Sequence, residues 1–225
     1  MAIDRENIMK KLVYLLASAI LLITACGPFQ EVIQNAIAGT QTPQASICPE
    51  GWSRLEGRGV ELCLPGTWDG GSDDRLEKTL ARLRSLGPEG EKMASQLESN
   101  LNSIIFWAFN THVVGMNVLI ANIPASGTVS QFIDKQCQLI PDHYKQIGGT
   151  AKCLEINVVR VGTFQEVGRL VIEETISGYD LKAIQYTFPQ GNTFWLVYFT
   201  TPSAQYSEYL PIFETAITTL NIDQK

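Results

Sequence analysis

The sequence predicts an α+β domain in which an antiparallel β-sheet is covered by helices on both faces. Three observations predict it. Four apolar strands at 154–161, 164–176, 181–188 and 193–200 are separated by Gly162-Thr163, Ser177-Gly178-Tyr179-Asp180 and Pro189-Gln190-Gly191-Asn192. Loops this short force antiparallel neighbours, because a parallel crossover needs about a dozen residues or more. Several strands are apolar on both alternating faces, so the sheet must be covered twice. Helical stripes precede and follow the strand run, at 128–148 and 201–220.

At the start of the chain, Lys10 and Lys11 precede an apolar run that ends in Ile23-Thr24-Ala25-Cys26. The 14 residues of 12–25 are too few for a spanning helix, which takes roughly 20. A basic end, a short apolar core and small residues before a cut describe a secretory signal. With cysteine next, the pattern resembles the lipobox of bacterial lipoprotein precursors. That resemblance implies removal of residues 1–25, acyl chains such as palmitate on Cys26, and a cell-membrane location on the extracytoplasmic face. Two or more acyl chains hold a protein on a bilayer where one gives only marginal binding. Met9, which opens Met9-Lys10-Lys11-Leu12, is an alternative start to Met1.

Cleavage before Cys26 removes Arg5, Lys10 and Lys11 against Asp4 and Glu6, which takes the net charge from −6 to −7 over the remaining 200 residues. That length suits one domain with a tether. The acidic balance argues against nucleic acid, whose binding needs clustered Lys and Arg. Residues 26–47 are rich in Gln, Ala, Thr, Pro and Gly, with almost no charge, and read as the tether. The globular domain is expected over 48–225.

Four cysteines remain after Cys26, with 15 residues separating Cys48 from Cys63 and 16 separating Cys137 from Cys153. Outside the cytoplasm an even set of this kind suggests disulfides, and three pairings are open. The two local pairs are favoured because each ties neighbouring elements, and a loop of this size contributes about 3 kcal/mol in the chain-entropy model. A metal site is not expected, since no Cys-x-x-Cys spacing occurs and the histidines are His112 and His143.

Taken in order, 52–55 and 60–64 flank Glu56-Gly57-Arg58-Gly59 as a β-hairpin, and the Pro- and Gly-rich stretch 65–71 ends it. Asp73 and Asp74 open a helix carrying Leu76, Leu80 and Leu83, and Gly87-Pro88 stops it and starts another through Met93, Leu97 and Leu101. Strands follow at 104–109 and 116–123. Simple alternation sets Ile104 and Phe106 against Ile105, Trp107 and Phe109. Thr128 or Ser130 then caps a helix interrupted at Pro141, after which the four-strand meander begins. Its last strand carries Thr193, Trp195, Val197 and Phe199 on one face and Phe194, Leu196 and Tyr198 on the other, as a central strand would. Thr201-Pro202 reads as an N-cap and first helical position. The closing stripe is Tyr206, Tyr209, Leu210, Phe213, Ile217 and Leu220, with a break or bend expected at Pro211.

Two stretches, Val60-Glu61-Leu62-Cys63-Leu64-Pro65-Gly66-Thr67-Trp68 and residues 194–220 (FWLVYFTTPSAQYSEYLPIFETAITTL), carry a resemblance to the PsbP-like family. It covers roughly residues 50–222 by element order and implies an α/β/α sandwich. The matching residues are core and turn residues, so they transfer architecture and no site. The resemblance implies a non-catalytic domain that binds another extracytoplasmic protein or assists an assembly, with no cofactor. A carrier or sensor of a small apolar ligand is the alternative, and Trp68, beside a Gly-rich turn, is its candidate contact.

An enzyme finds little support. His112 sits in a turn and His143 at a helix end, where a solvated or capping histidine is a simpler role than a catalytic base. Glu173 and Glu174 point to opposite faces of a strand and cannot act as a carboxylate pair. Glu173 shares the parity of Arg169, where a cross-strand ion pair is the simplest role. Asp69, Asp73 and Asp74 offer oxygens to a calcium ion, but helix capping explains them more simply.

Overall fold

The computed structural model describes residues 48–71, 77, 80–81, 84–85, 91, 95, 104–110, 112–113, 116–176 and 178–222. The segments expected as signal (1–25) and tether (26–47), Cys26 included, lie outside the described residues, as does most of the helical pair expected at 73–101. Of that pair, residues 77, 80, 81, 84, 91 and 95 are helical.

β1 (Trp52–Gly57) and β2 (Val60–Pro65) form the expected hairpin. Its turn is Arg58-Gly59, with φ of 44° and 80°. Two left-handed residues match the right-handed twist of the flanking strands, and glycine takes the second at no steric cost. β3 (Trp68–Gly70), β4 (Ile104–Asn110) and β5 (Asn117–Pro124) follow. α1 (Val129–Gln146) comes next, then the meander of β6 (Thr150–Val161), β7 (Phe164–Ile176), β8 (Tyr179–Gln190) and β9 (Thr193–Pro202). A 3-10 turn, Ser203–Gln205, leads into α2 (Tyr206–Thr218), and β10 (Asn221–Ile222) ends the described chain.

Among the described residues, seven strands make one antiparallel sheet in the order β3-β4-β5-β9-β8-β7-β6, and β1, β2 and β10 make a second sheet. β9 is central, as its two apolar faces require. One face packs with α1: Leu119, Ala121, Leu170, Ile172, Phe194 and Leu196 meet Val129, Phe132, Ile133, Ile140 and Tyr144. The opposite face packs with α2 and the small sheet: Phe106, Val118, Ile120, Ile184, Val197 and Phe199 meet Leu62, Leu64, Phe213 and Ile217. Each large side chain fully buried here contributes about 1.5–3 kcal/mol. The sandwich with a helix on each face is therefore present, and a small sheet shares one of those faces.

α1 starts at Thr128, whose hydroxyl accepts from the Gln131 N–H while the Gln131 side chain accepts from the Thr128 N–H. This reciprocal cap fixes the start. Gly168 of β7 lies beneath the helix, where a Cβ would stand 2.5 Å from Ile133 Cγ2. The absence of a side chain there is what lets helix and sheet approach.

Several expectations are corrected. Trp68–Gly70, read as a turn, pairs with β4 as an edge strand. Ile105 is an extra residue in β4, because Ile104 pairs with Ala121 and Phe106 with Ile120. That bulge moves Ile104 to the face of Trp107, away from Phe106. Neither Pro141 nor Pro211 interrupts its helix. Both prolines are exposed, so the missing backbone donor falls on the solvent side while the opposite side stays packed. Thr201 and Pro202 belong to β9, paired with Lys182 and Leu181, and do not cap α2.

Both local disulfides are formed, Cys48 to Cys63 and Cys137 to Cys153. The first ties the segment before β1 to β2, and the second ties α1 to β6. A further tie holds α2: the Cys63 N–H donates to Thr219 Oγ1 at 3.0 Å, and that hydroxyl donates to the Ala216 carbonyl at 2.7 Å.

Candidate functional site

The side chains first suspected of chemistry are scattered. His112 is exposed in the β4–β5 turn, where its backbone N–H and that of Val113 donate to Asn110 Oδ1 at 2.8 and 3.0 Å. His143 lies in the last turn of α1. Asp69 is on β3, across from Phe109, and Asp73 and Asp74 lie outside the described residues. Trp68 is 5% exposed and meets Phe213 edge-on at 6.4 Å. Trp68, the candidate contact for an apolar ligand, is therefore a core residue, because β3 turns the indole inward. Trp107 is buried, stacked 5.1 Å from Phe109, and Trp195 is partly buried against the α2 side of the core.

Two polar clusters arise that spacing did not reveal. The first surrounds Arg169 of β7, on the α2 face. Its Nη1 donates to Glu155 Oε2 of β6 at 2.6 Å, and Nη2 lies 3.8 Å from Glu214 Oε1 of α2. Burial opposes the guanidinium charge, but hydrogen bonds to Glu155 and Tyr186 outweigh it and raise the pKa. Burial pushes the Tyr186 hydroxyl up to about 12, against the pull of Arg169. Tyr206 is also pushed up to about 12, chiefly by burial, and Lys182 Nζ lies 4.5 Å from its ring centre. The carboxylates that pair with Arg169 are thus Glu155 and Glu214, and not Glu173. Glu173 instead stands in register with Lys152 and Lys182.

The reason lies in β6. Cys153 pairs with Ile172 and Glu155 with Val171, so Leu154 is an extra residue in the ladder. Without it, Glu155 would share the α1 face with Cys153; the bulge delivers it to the α2 face beside Arg169. A second bulge falls between Val159 and Val161. Between the two, residues 154–158 are exposed without interruption. They include Leu154 at 38%, Ile156 at 41% and Val158 at 48% exposure. Ile156 and Val158 pair with Leu170 and Gly168 and so face the α1 side. The outer edge of β6 thus presents apolar side chains on one face and the Glu155–Arg169–Glu214 group on the other. These groups suit recognition; the arrangement includes no nucleophile held by a base.

The second cluster is internal. Glu174 of β7 is 1% exposed, and its Oε2 accepts from the hydroxyls of Tyr144 in α1 and Tyr198 in β9, the latter at 3.0 Å. Its Oε1 has no hydrogen-bond partner. Burial raises the carboxyl to about 7, with both phenols pulling the other way. Nearby, Gln185 Nε2 donates to Gln136 Oε1 at 2.6 Å. The signal for Glu174 was present in the sequence as a carboxylate in phase with the apolar positions Leu170 and Ile172. Among the described residues, no group of His, Cys, Asp and Glu is arranged to hold a metal ion.

The architecture defines a class: an α+β domain with a seven-stranded antiparallel sheet, a small second sheet and a helix against each face. It is similar to the solution structure of cyanobacterial PsbP (CyanoP) from Synechocystis sp. PCC 6803, with a TM-score of 0.52, 10% identity, and coverage of 84% of this chain and 98% of that one. The Ran-binding protein Mog1p of Saccharomyces cerevisiae matches at a TM-score of 0.47 and 8% identity, covering 76% and 95%. LpqN, involved in cell envelope biogenesis of Mycobacterium tuberculosis, matches at 0.41 and 12%, covering 73% and 83%. No family model and no curated protein matches the sequence. The PsbP-like fold expected from residues 60–68 and 194–220 is present, and at these identities the likeness concerns the fold alone.

Proposed function

We propose that this protein is a membrane-anchored extracytoplasmic lipoprotein whose PsbP-like domain binds another protein, or assists its assembly, without catalysis. The observation that carries the reading is the outer edge of β6, which holds the three exposed large apolar side chains of the described residues, Leu154, Ile156 and Val158. Exposed apolar groups gathered on one strand beside charged groups mark a protein-binding surface. The sequence supplies the address through Cys26 and its preceding signal. Trp68, which motivated a carrier of small apolar ligands, is packed against Phe213 and gives that alternative no support.

Crosslinking of the full-length chain in its own cells, followed by mass spectrometry, tests the binding reading. A recurrent membrane or secreted partner is expected, and no partner above background would overturn it. Cys26→Ala tests the anchor separately. The variant is expected to leave the membrane fraction or accumulate unprocessed; normal processing and retention would refute lipidation.

A further inference from the structure

We infer that the partner is captured by strand addition: an extended segment, with apolar side chains alternating with basic ones, pairs with β6 across residues 154–158. This deepens the proposed binding function and rests on it.

Among the described residues, the main sheet ends at β3 on one side and at β6 on the other. β3 has three residues, whereas β6 has 12. An edge strand leaves half its backbone N–H and C=O groups unpaired, so an edge of this length is a template for another strand. Added strands take affinity from main-chain hydrogen bonds and specificity from alternating side chains.

The two bulges frame the template. They fall at Cys153/Glu155 and Val159/Val161, with Lys152 and Arg160 just outside or within them, and the regular ladder runs from Glu155 to Val159. Bulges and charges blunt an edge, so pairing is confined to a short window and does not extend indefinitely. Within it, Ile156 and Val158 face the α1 side and call for apolar partners. On the other side stands Glu155, 52% exposed, with Glu214, 51% exposed, sharing the single charge of Arg169. At the 155–159 window two carboxylates share one guanidinium, while Lys152 and Lys182 on the same face stand in register with a further carboxylate, Glu173. A lysine or arginine on that face of the incoming strand complements the two carboxylates at the window.

A second copy fits less well. In the antiparallel register that sets Ile156 on Ile156 and Leu154 on Val158, Lys152 falls opposite Arg160 of the second copy, and like charges directly opposite repel.

The test uses the domain with both disulfides intact and two blocked octapeptides, one alternating valine with lysine and the other valine with glutamate. The lysine peptide is expected to slow amide exchange across 154–158 and to bind at least about tenfold more tightly than the glutamate peptide. Glu155→Gln should reduce that preference. Ile156→Asp, at an exposed position, should abolish binding with the fold retained by circular dichroism. Equal binding of both peptides, protection elsewhere, or no binding would overturn the inference. Protection of β6 that rises with protein concentration and no peptide would do so too, in favour of a second copy. In cells, a photo-crosslinking residue at position 158 should capture the partner and one at position 208 should not. Capture only from 208, or from neither position, refutes strand addition, while the binding reading falls only if whole-chain crosslinking also finds no partner.

Discussion

Glu174→Gln is expected to remove most of the fall in stability that the wild-type domain shows between about pH 5 and pH 8. Glu174 is enclosed by Tyr144 and Tyr198, and its cross-strand neighbours are Ala151 and Leu181. No basic group offsets the loss of water among the causes of its shift; burial lifts the carboxyl to about 7 from an ordinary 4.5, and the phenols only limit the rise. Between those values the folded state holds a proton that the unfolded chain has released. Stability is therefore fully present below the lower value and declines as pH rises through the upper one. The span corresponds to about 3 kcal/mol. Glutamine keeps an acceptor for the two hydroxyls and never ionises. Denaturant unfolding near both ends of the range checks this: the variant should match wild type at low pH and exceed it at high pH. Parallel pH profiles would show that Glu174 does not titrate in that window.

Phe213→Ala is expected to destabilise the domain by about 3–5 kcal/mol. Phe213 is completely buried and stacks on Phe199 of β9 at 4.9 Å, with Trp68 edge-on and Tyr209 tilted, each at 6.4 Å. It joins α2 to the central strand and to the edge strand β3, and those rigid neighbours cannot collapse into the space its ring leaves. The cost therefore includes a cavity as well as lost transfer energy. The denaturant midpoint reads it, with Glu208→Ala on the exposed face of α2 as a control expected to stay within about 0.5 kcal/mol of wild type. A Phe213→Ala cost as small as the control's would mean that α2 does not depend on this contact.

The meander was legible because its loops are too short for any neighbour but an antiparallel one, and β9 was legible as central because both its faces are apolar. The local disulfides and the α2 stripe were legible for the same kind of reason, since each depends on residues close along the chain. The candidate site was not. Arg169, Glu155 and Glu214 come from β7, β6 and α2, and nothing in their spacing brings them together. Even their faces were hidden, because one extra residue at Leu154 reverses the alternation that places Glu155.

Local pattern by itself determined the order of the longer strands and helices and the doubly covered sheet, because each follows from periodicity, turn chemistry or length within one stretch of chain. Tertiary structure decided the bulges, the small sheet closed by Asn221–Ile222, the continuity of both helices through their prolines and the burial of Trp68 and Glu174. Each of these is settled by the free energy of contacts between distant segments. A packed helix face can outweigh a missing backbone donor, and a one-residue shift can be favoured when it buries Ile104 or brings Glu155 to Arg169.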